Sequence, residues 1–186
     1  MDGTVEGFLA RMAERTPAPG GGGACAVGIA MGAALVAMAA RYSTKQLPDA
    51  DAMAAAADEL RAEALPLVQA DADAYGAFLE AMRDTSDERD QRIAVASQAA
   101  CDVPLRMTEL AVQVAMLAAR VASDGNPRLV GDANTGALLC SAAARAAAHL
   151  VATNVKSSGL DPVLVERADD NAGRTARAAR QIGGRE

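Results

Sequence analysis

At 186 residues, with no composition break or linker inside it, the chain reads as one domain over 1–186 and is long enough to bury a real core. Hydrophobic residues make up 51% but aromatics only 2%, with no Trp, so the interior has to be assembled from Ala, Leu, Val and Met; this favours close-packed helices over a β-sandwich and predicts an all-α fold. The net charge of −6 argues against a nucleic-acid partner, because neutralising phosphates needs a basic face.

In chain order, Thr4 to Arg15 reads as a short helix with Val5, Phe8, Leu9 and Met12 as its apolar face. No basic region followed by an apolar stretch opens the chain, which argues against secretion and for a cytoplasmic location. Thr16-Pro17-Ala18-Pro19-Gly20-Gly21-Gly22-Gly23-Ala24 cannot be regular structure before about Gly22, because two prolines fix φ and four glycines free it. A long Ala/Gly-rich helix then runs to about Ser43. Its small residues Ala24, Gly28 and Gly32 share one face, with Met31, Leu35, Met38 and Tyr42 on a neighbouring stripe. The run from Gly22 to Ala40 is long and uncharged enough to span a membrane, but it is Ala and Gly more than Leu and Ile, and the other segments are amphipathic. It reads as the central helix of an antiparallel bundle rather than a membrane span.

Asp49 is expected to cap a helix over about Ala50 to Arg83, kinked at Pro66. Thr85 and Glu88 have capping-box spacing and open a helix to about Asp102. Pro104 marks a kink or a new start, followed by Leu105 to Ser123 and a left-handed cap at Gly125. After a polar loop from Asp124 to Gly131, Asp132 caps a helix to about Lys156, and Asp161-Pro162 opens a last helix whose Arg174, Arg177 and Arg180 form a solvated face.

Residues that bear on chemistry are few. The glycine loop at a helix N-terminus presents unpaired amides and a partial positive charge, so it is either a helix-packing loop or a cradle for an anion or planar polar ligand. No Gly-Lys-Ser/Thr follows it and no strand precedes it, which excludes the phosphate-loop and dinucleotide patterns. Asp71 falls in the middle of an apolar stripe of Leu60, Ala64, Leu67, Tyr75, Phe78 and Met82, so it should point inward, either to a structural cation or into a functional cleft; Asp73 should be solvated. Asp132 heads a stripe of Leu139, Ala143, Ala146, Leu150 and Thr153, and its simple role is N-capping. Asn154 and Lys156 lie at the end of that helix and read equally well as ordinary helix-end residues. Cys25, Cys101 and Cys140 stand apart and read as small buried hydrophobes in a reducing compartment, and with His149 alone they argue against a metal site. His149 is read as packing or capping locally.

The run from Thr16 to Gly23 ahead of a small-residue helix resembles the formiminotransferase-cyclodeaminase / methenyltetrahydrofolate cyclohydrolase family. The likeness continues through Asp71-Ala72-Asp73-Ala74-Tyr75, Phe78-Leu79-Glu80-Ala81-Met82, Val103-Pro104-Leu105, Gly125-Asn126, Asp132 and Asn154-Val155-Lys156, in order along nearly the whole chain. It implies a helical bundle, a homodimer, a folate pocket near the glycine loop, no cofactor beyond the tetrahydrofolate substrate, and an essential aspartate that maps onto Asp71. Asp132 and Asn154 would orient the pterin or a water. Pro19, Gly20, Gly21, Gly22 and Gly23 would shape the pocket with Tyr75, and Lys156 would meet the anionic glutamate tail. Leu150 and Ala152 depart from the family's more polar pattern before Asn154, and Gly131 stands where a serine is common.

Two reactions follow from the resemblance: hydrolysis of 5,10-methenyltetrahydrofolate to 10-formyltetrahydrofolate, or closure of 5-formiminotetrahydrofolate with loss of ammonia. A non-catalytic helical dimer that binds folate or another anion is the competing reading, favoured by Leu150 and Ala152. The transferase half of the bifunctional relatives has no room in 186 residues.

Overall fold

The computed structural model describes residues 4–184 as seven α-helices: α1 (Val5–Ala13), α2 (Gly21–Arg41), α3 (Ala50–Ala64), α4 (Leu67–Arg83), α5 (Arg89–Asp124), α6 (Val130–Ser158) and α7 (Val163–Gly183). A single 3-10 turn, Pro127–Leu129, leads into α6. The bundle is organised around α2, α5 and α6, which pack on one another; α3 covers α2, α7 covers α5 and α6, and α4 bridges α2 and α5. Ile29, Val36, Met107, Leu110, Val114, Val121 and Val151 are fully buried at the centre, surrounded by alanines. That composition lets backbones approach closely, since most core positions carry only a methyl group.

The closest approach joins α2 to α6. A Cβ on Gly32 would sit 2.6 Å from Cys140 Sγ and 2.8 Å from the Gly136 carbonyl oxygen, and one on Gly136 would sit 2.9 Å from the Gly32 carbonyl oxygen. Gly28, one turn back along α2, faces Ala143, one turn further along α6, so the two helices run antiparallel. The apolar run of α2 is therefore mostly buried between helices. Its smallest residues lie at the crossing, but Ala24 is exposed, as are Met31 (53%) and Tyr42 (66%) on the stripe beside it.

Several boundaries differ from the sequence-based expectation. The helix expected over Ala50 to Arg83 is two helices, because Pro66 lacks the amide that would continue the first and instead opens the second. Asp49 stands at the start of α3 without a capping hydrogen bond; its carboxylate pairs with Arg120 at 2.8 Å. The capping box at Thr85 and Glu88 does not form. Asp84 accepts from the Ser86 amide at 2.9 Å instead, and α5 starts at Arg89. Conversely, α5 passes through Pro104 without a new start and is continuous for 36 residues.

Gly125 is not left-handed, with φ −87°; it is small because a Cβ there would lie 2.6 Å from Ser43 Oγ. Ser43 Oγ accepts from the Asn126 amide at 2.9 Å, and Asn126 Nδ2 donates to the Tyr42 carbonyl at 3.1 Å, which ties the loop after α5 to the end of α2. The left-handed cap is Gly159, at φ 66° after α6. Thr4 caps α1 through the Gly7 amide and Asp161 caps the start of α7 through the Val163 amide. On α1 only Phe8 is buried, while Val5 and Leu9 are exposed. All three cysteines are buried, and Arg174, Arg177 and Arg180 are exposed.

Substitution at the α2–α6 crossing should separate the glycines by their neighbours. Gly32→Ala has no room and should cost about 1–3 kcal/mol by overpacking. Gly28→Ala, whose nearest side-chain neighbour would be 3.6 Å away, should be neutral or should gain up to about 1 kcal/mol of helix propensity. The urea midpoints of the two variants, compared at unchanged m-value, test this contrast.

Candidate functional site

The site starts from an uncapped helix. Gly20 precedes α2 without a side chain to offer its first-turn amides, and the first intrahelical bond is Ala24 N–H to the Gly20 carbonyl at 3.1 Å. Asp71, on α4, supplies what is missing. Its carboxylate lies directly over Gly22, where any Cβ would overlap it, and it accepts from the backbone N–H of Gly23. An acidic group at this end of a helix is favoured by the helix dipole. Burial nevertheless dominates, and the carboxyl pKa is raised above the usual carboxylate range, with the Gly23 hydrogen bond opposing part of the shift. No cation contributes to its environment, so the structural ion pair considered for Asp71 is not formed among the described residues. Beneath it, the Cys25 thiol is pushed up to about 11 by burial and by the Asp71 charge, which keeps it a neutral thiol.

The wall opposite in sequence is built by a proline. Within α5 the Ala100 carbonyl would accept from the amide of residue 104, but Pro104 has none. Asn154 on α6 fills the gap, its Nδ2 donating to the Ala100 oxygen at 2.7 Å. The cost of a mid-helix proline is thereby reduced and α5 stays continuous. The same bond anchors the Asn154 side chain and leaves its Oδ1 as an acceptor without a donor among the described residues.

These parts enclose a cavity of about 250 Å³. Gly20, Gly21 and Gly22 line one side with Pro17 and Ala18; Asp71, Tyr75 and Phe78 come from α4. Ser97, Ala100 and Pro104 come from α5, and Leu150, Asn154, Ser157 and Ser158 from α6. A more open groove of about 590 Å³ lies between α4 and α5, lined by residues such as Glu80, Gln91, Arg92 and Val95.

Of the residues singled out in the sequence, Gly20, Gly21, Gly22, Asp71, Tyr75 and Asn154 meet here. Gly23 is just behind the lining, where a Cβ would meet Pro19 at 3.4 Å. Pro19 faces the other side of the loop, and Lys156 is exposed in the last turn of α6. Asp132 is elsewhere: it sits in the first turn of α6, which begins at Val130, without a capping bond, and 154 − 132 = 22 residues of helix place it about 33 Å from Asn154. The stripe that Asp132 was expected to head is not the buried one either, since Ala146 and Thr153 are exposed and Ala133, Ala137, Cys140, Ala144, Val151 and Val155 face the core. On α4 the buried residues are Val68, Ala74 and Ala81, each next to a residue of the expected stripe and not on it. Asp71 is half-buried, Asp73 is exposed and hydrogen-bonded to Gln69, and His149 is exposed away from the cavity.

The sequence reading missed Ser97, Pro104 as a lining residue, and Ser157 and Ser158. The available signal was spacing: Ser97 is seven residues before Pro104, on the same face of α5. Among the described residues no group of three His, Cys, Asp or Glu side chains is arranged to hold a metal.

A family model described as formiminotransferase-cyclodeaminase matches residues 4–173. The chain is 35% identical over 170 residues to a methenyltetrahydrofolate cyclohydrolase of Methylorubrum extorquens, covering 85% of this chain and 81% of that one. It is 31% identical over 149 residues to a formimidoyltransferase-cyclodeaminase of Mus musculus, covering 74% of this chain but 28% of that longer protein. A crystal structure of a formiminotetrahydrofolate cyclodeaminase from Thermotoga maritima has the same fold, with a TM-score of 0.90 over 98% of this chain and 95% of that one at 23% identity.

Two stability measurements check this geometry. Between the ordinary Asp pKa of 3.8 and its raised native value, the folded state holds a proton that the unfolded state has released. Stability is therefore lost as pH rises through that window. Asp71→Asn should melt higher than the parent at pH 7, and the difference should vanish as pH falls below 4. Asn154→Ala should cost about 1–3 kcal/mol by orphaning the Ala100 carbonyl. Adding Pro104→Ala, which restores an amide donor, should recover most of that loss in the double mutant.

Proposed function

The chain belongs to the formiminotransferase-cyclodeaminase family, and on that premise we propose that it hydrolyses 5,10-methenyltetrahydrofolate to 10-formyltetrahydrofolate in the cavity between α2, α4, α5 and α6. The observation that carries this reading is Asp71: a half-buried carboxyl of raised pKa, without a cationic partner among the described residues, placed over the free amides of a helix N-terminus and lining a cavity. The choice of the hydrolase is supported by the relative in Methylorubrum extorquens, which matches over most of both chains.

The cavity is a little under the range of about 300–1,000 Å³ that encloses a drug-sized ligand. It suits the fused rings of the folate, between Tyr75 and Phe78 on one side and Leu150 and Pro104 on the other. The benzoyl-glutamate tail then leaves past Ser157 and Ser158, where Lys156 is exposed and free to meet its carboxylates. Departing from the family's polar pattern, Leu150 makes this wall apolar.

In the reaction a water oxygen bonds the methenyl carbon while Asp71 takes a proton from it. The carbinolamine then collapses: the bond from that carbon to N5 breaks, Asp71 returns its proton to N5, and the new hydroxyl loses its proton to solvent water as the formyl group forms on N10. The ionised Asp71 also offsets the cationic amidinium of the bound substrate, which the α2 N-terminus alone would disfavour. The raised pKa brings the acid and base forms of the group closer in energy near neutral pH, which a proton shuttle needs. A homodimer joined through the exposed apolar stripe of α2 around Met31 and Tyr42 is part of the proposal, and so is a reducing, cytoplasmic setting for the three buried free thiols.

Loss of the methenyl chromophore on adding purified protein to 5,10-methenyltetrahydrofolate, corrected for spontaneous hydrolysis, is the expected result. Asp71→Asn should lower that rate by about 10²-fold or more, the loss typical of a removed acid–base group. Ammonia release from 5-formiminotetrahydrofolate without methenyl decay would assign the cyclodeaminase reaction instead, as in the relative from Mus musculus. Silence in both assays would make the chain a non-catalytic bundle.

A further inference from the structure

Four hydroxyl side chains are buried among the described residues: Ser43, Ser97, Thr108 and Thr175. Three are satisfied within the chain. Ser43 donates to the Ala39 carbonyl at 2.8 Å, Thr108 to Leu105 at 2.7 Å and Thr175 to Asn171 at 2.8 Å, the usual resort of a hydroxyl on a helix. Exposed hydroxyls do the same, as Thr135 and Thr153 show. Ser97 is the exception: it is 2% exposed, lines the cavity, and its Oγ has no partner. A buried hydroxyl left without a bond is a cost to the fold, tolerated where a ligand completes it.

The second observation is on the neighbouring helix. Asn154 has its Nδ2 committed to the Ala100 carbonyl, three residues along α5 from Ser97, so the direction of its side chain is set and Oδ1 is left as an acceptor in the same cavity. Pro104 is the cause, since it removes the amide that Ala100 would otherwise have used. Both groups line the one slot, which Tyr75, Phe78, Leu150 and Pro104 also line.

We infer that Ser97 Oγ and Asn154 Oδ1 are the ring-recognition edge of the site, Ser97 donating to an acceptor atom of a planar nitrogen heterocycle and Asn154 accepting from an adjacent ring N–H or amino group. The inference rests on the folate reading for the identity of that heterocycle, whose 2-amino-4-oxo pyrimidine edge carries both kinds of group side by side. This edge is remote from the one-carbon unit on N5 and N10, so Ser97 is a specificity residue. It holds the ring equally in the ground and transition states, and its removal weakens binding without slowing the chemical step. Pro104 acts through Asn154 as a positioning residue.

The test is Ser97→Ala, assayed for methenyl decay and for thermal melting without ligand. The expected result is a KM for 5,10-methenyltetrahydrofolate raised about tenfold, the loss of one hydrogen bond to a buried group, with kcat within about twofold of the parent. The ligand-free Tm should be unchanged or higher, because the substitution removes an unsatisfied hydroxyl. A lower Tm with KM unmoved would make Ser97 a packing residue and overturn the inference, as would a fall in kcat at constant KM. Parent enzyme that turns over while Ser97→Ala matches it in KM removes Ser97 alone and leaves the folate reading intact. A parent protein that neither turns over nor binds tetrahydrofolate overturns both.

Discussion

The arrangement depends on a carboxylate from one helix resting on the bare N-terminus of another. Asp71 can occupy that position only because residue 22 has no side chain, and the α2 amides are open to it only because Gly20 offers no cap. Opposing effects meet on the one group. The helix dipole and the Gly23 hydrogen bond favour the charged form, burial disfavours it, and burial wins by enough to raise the pKa. A carboxyl left between these influences, with no arginine or lysine among the described residues to hold it ionised, is suited to passing a proton. It is poorly suited to fastening two helices together, since an isolated buried charge costs more than it returns.

The far wall follows the same logic of a missing backbone partner. At the glycine loop, amides lack acceptors; at Pro104, a carbonyl lacks its donor. In each case the deficit is met by a side chain from a helix distant in sequence, Asp71 in the first and Asn154 in the second. Both of these side chains line the cavity, so the residues that repair backbone deficits also furnish its polar groups. The remaining polar deficit on the lining, at Ser97, has no such repair.

The scaffold that holds these groups is made of small residues. With glycine facing glycine at the α2–α6 crossing and alanine through most of the core, the helices sit close and have little room to shift, which suits a site assembled from four of them. Met31 on α2 and Tyr42 just after it are instead turned outward. Apolar periodicity therefore misleads here. In a chain whose core is alanine, the larger hydrophobic residues mark the rim of a helix or its exposed side as readily as its buried face, and the expected stripes on α1, α4 and α6 each include exposed residues.

The sequence by itself determined the all-α class, most helix ends, the glycine loop as the start of the central helix, and Asp71 as an inward carboxylate, because composition, proline and glycine act locally on the backbone. It also carried the family, through motifs spread over nearly the whole chain. Three-dimensional packing decided the rest. Pro66 divides a helix while Pro104 does not, although both are prolines in helical surroundings; the difference is Asn154, fifty residues on, and no local rule contains it. Asp132 and Asn154 belong to one helix, but its length puts only Asn154 at the cavity. Ser97 became notable only when burial and the absence of a partner could be seen together, since a hydroxyl's satisfaction depends on what other helices bring within about 3 Å of it.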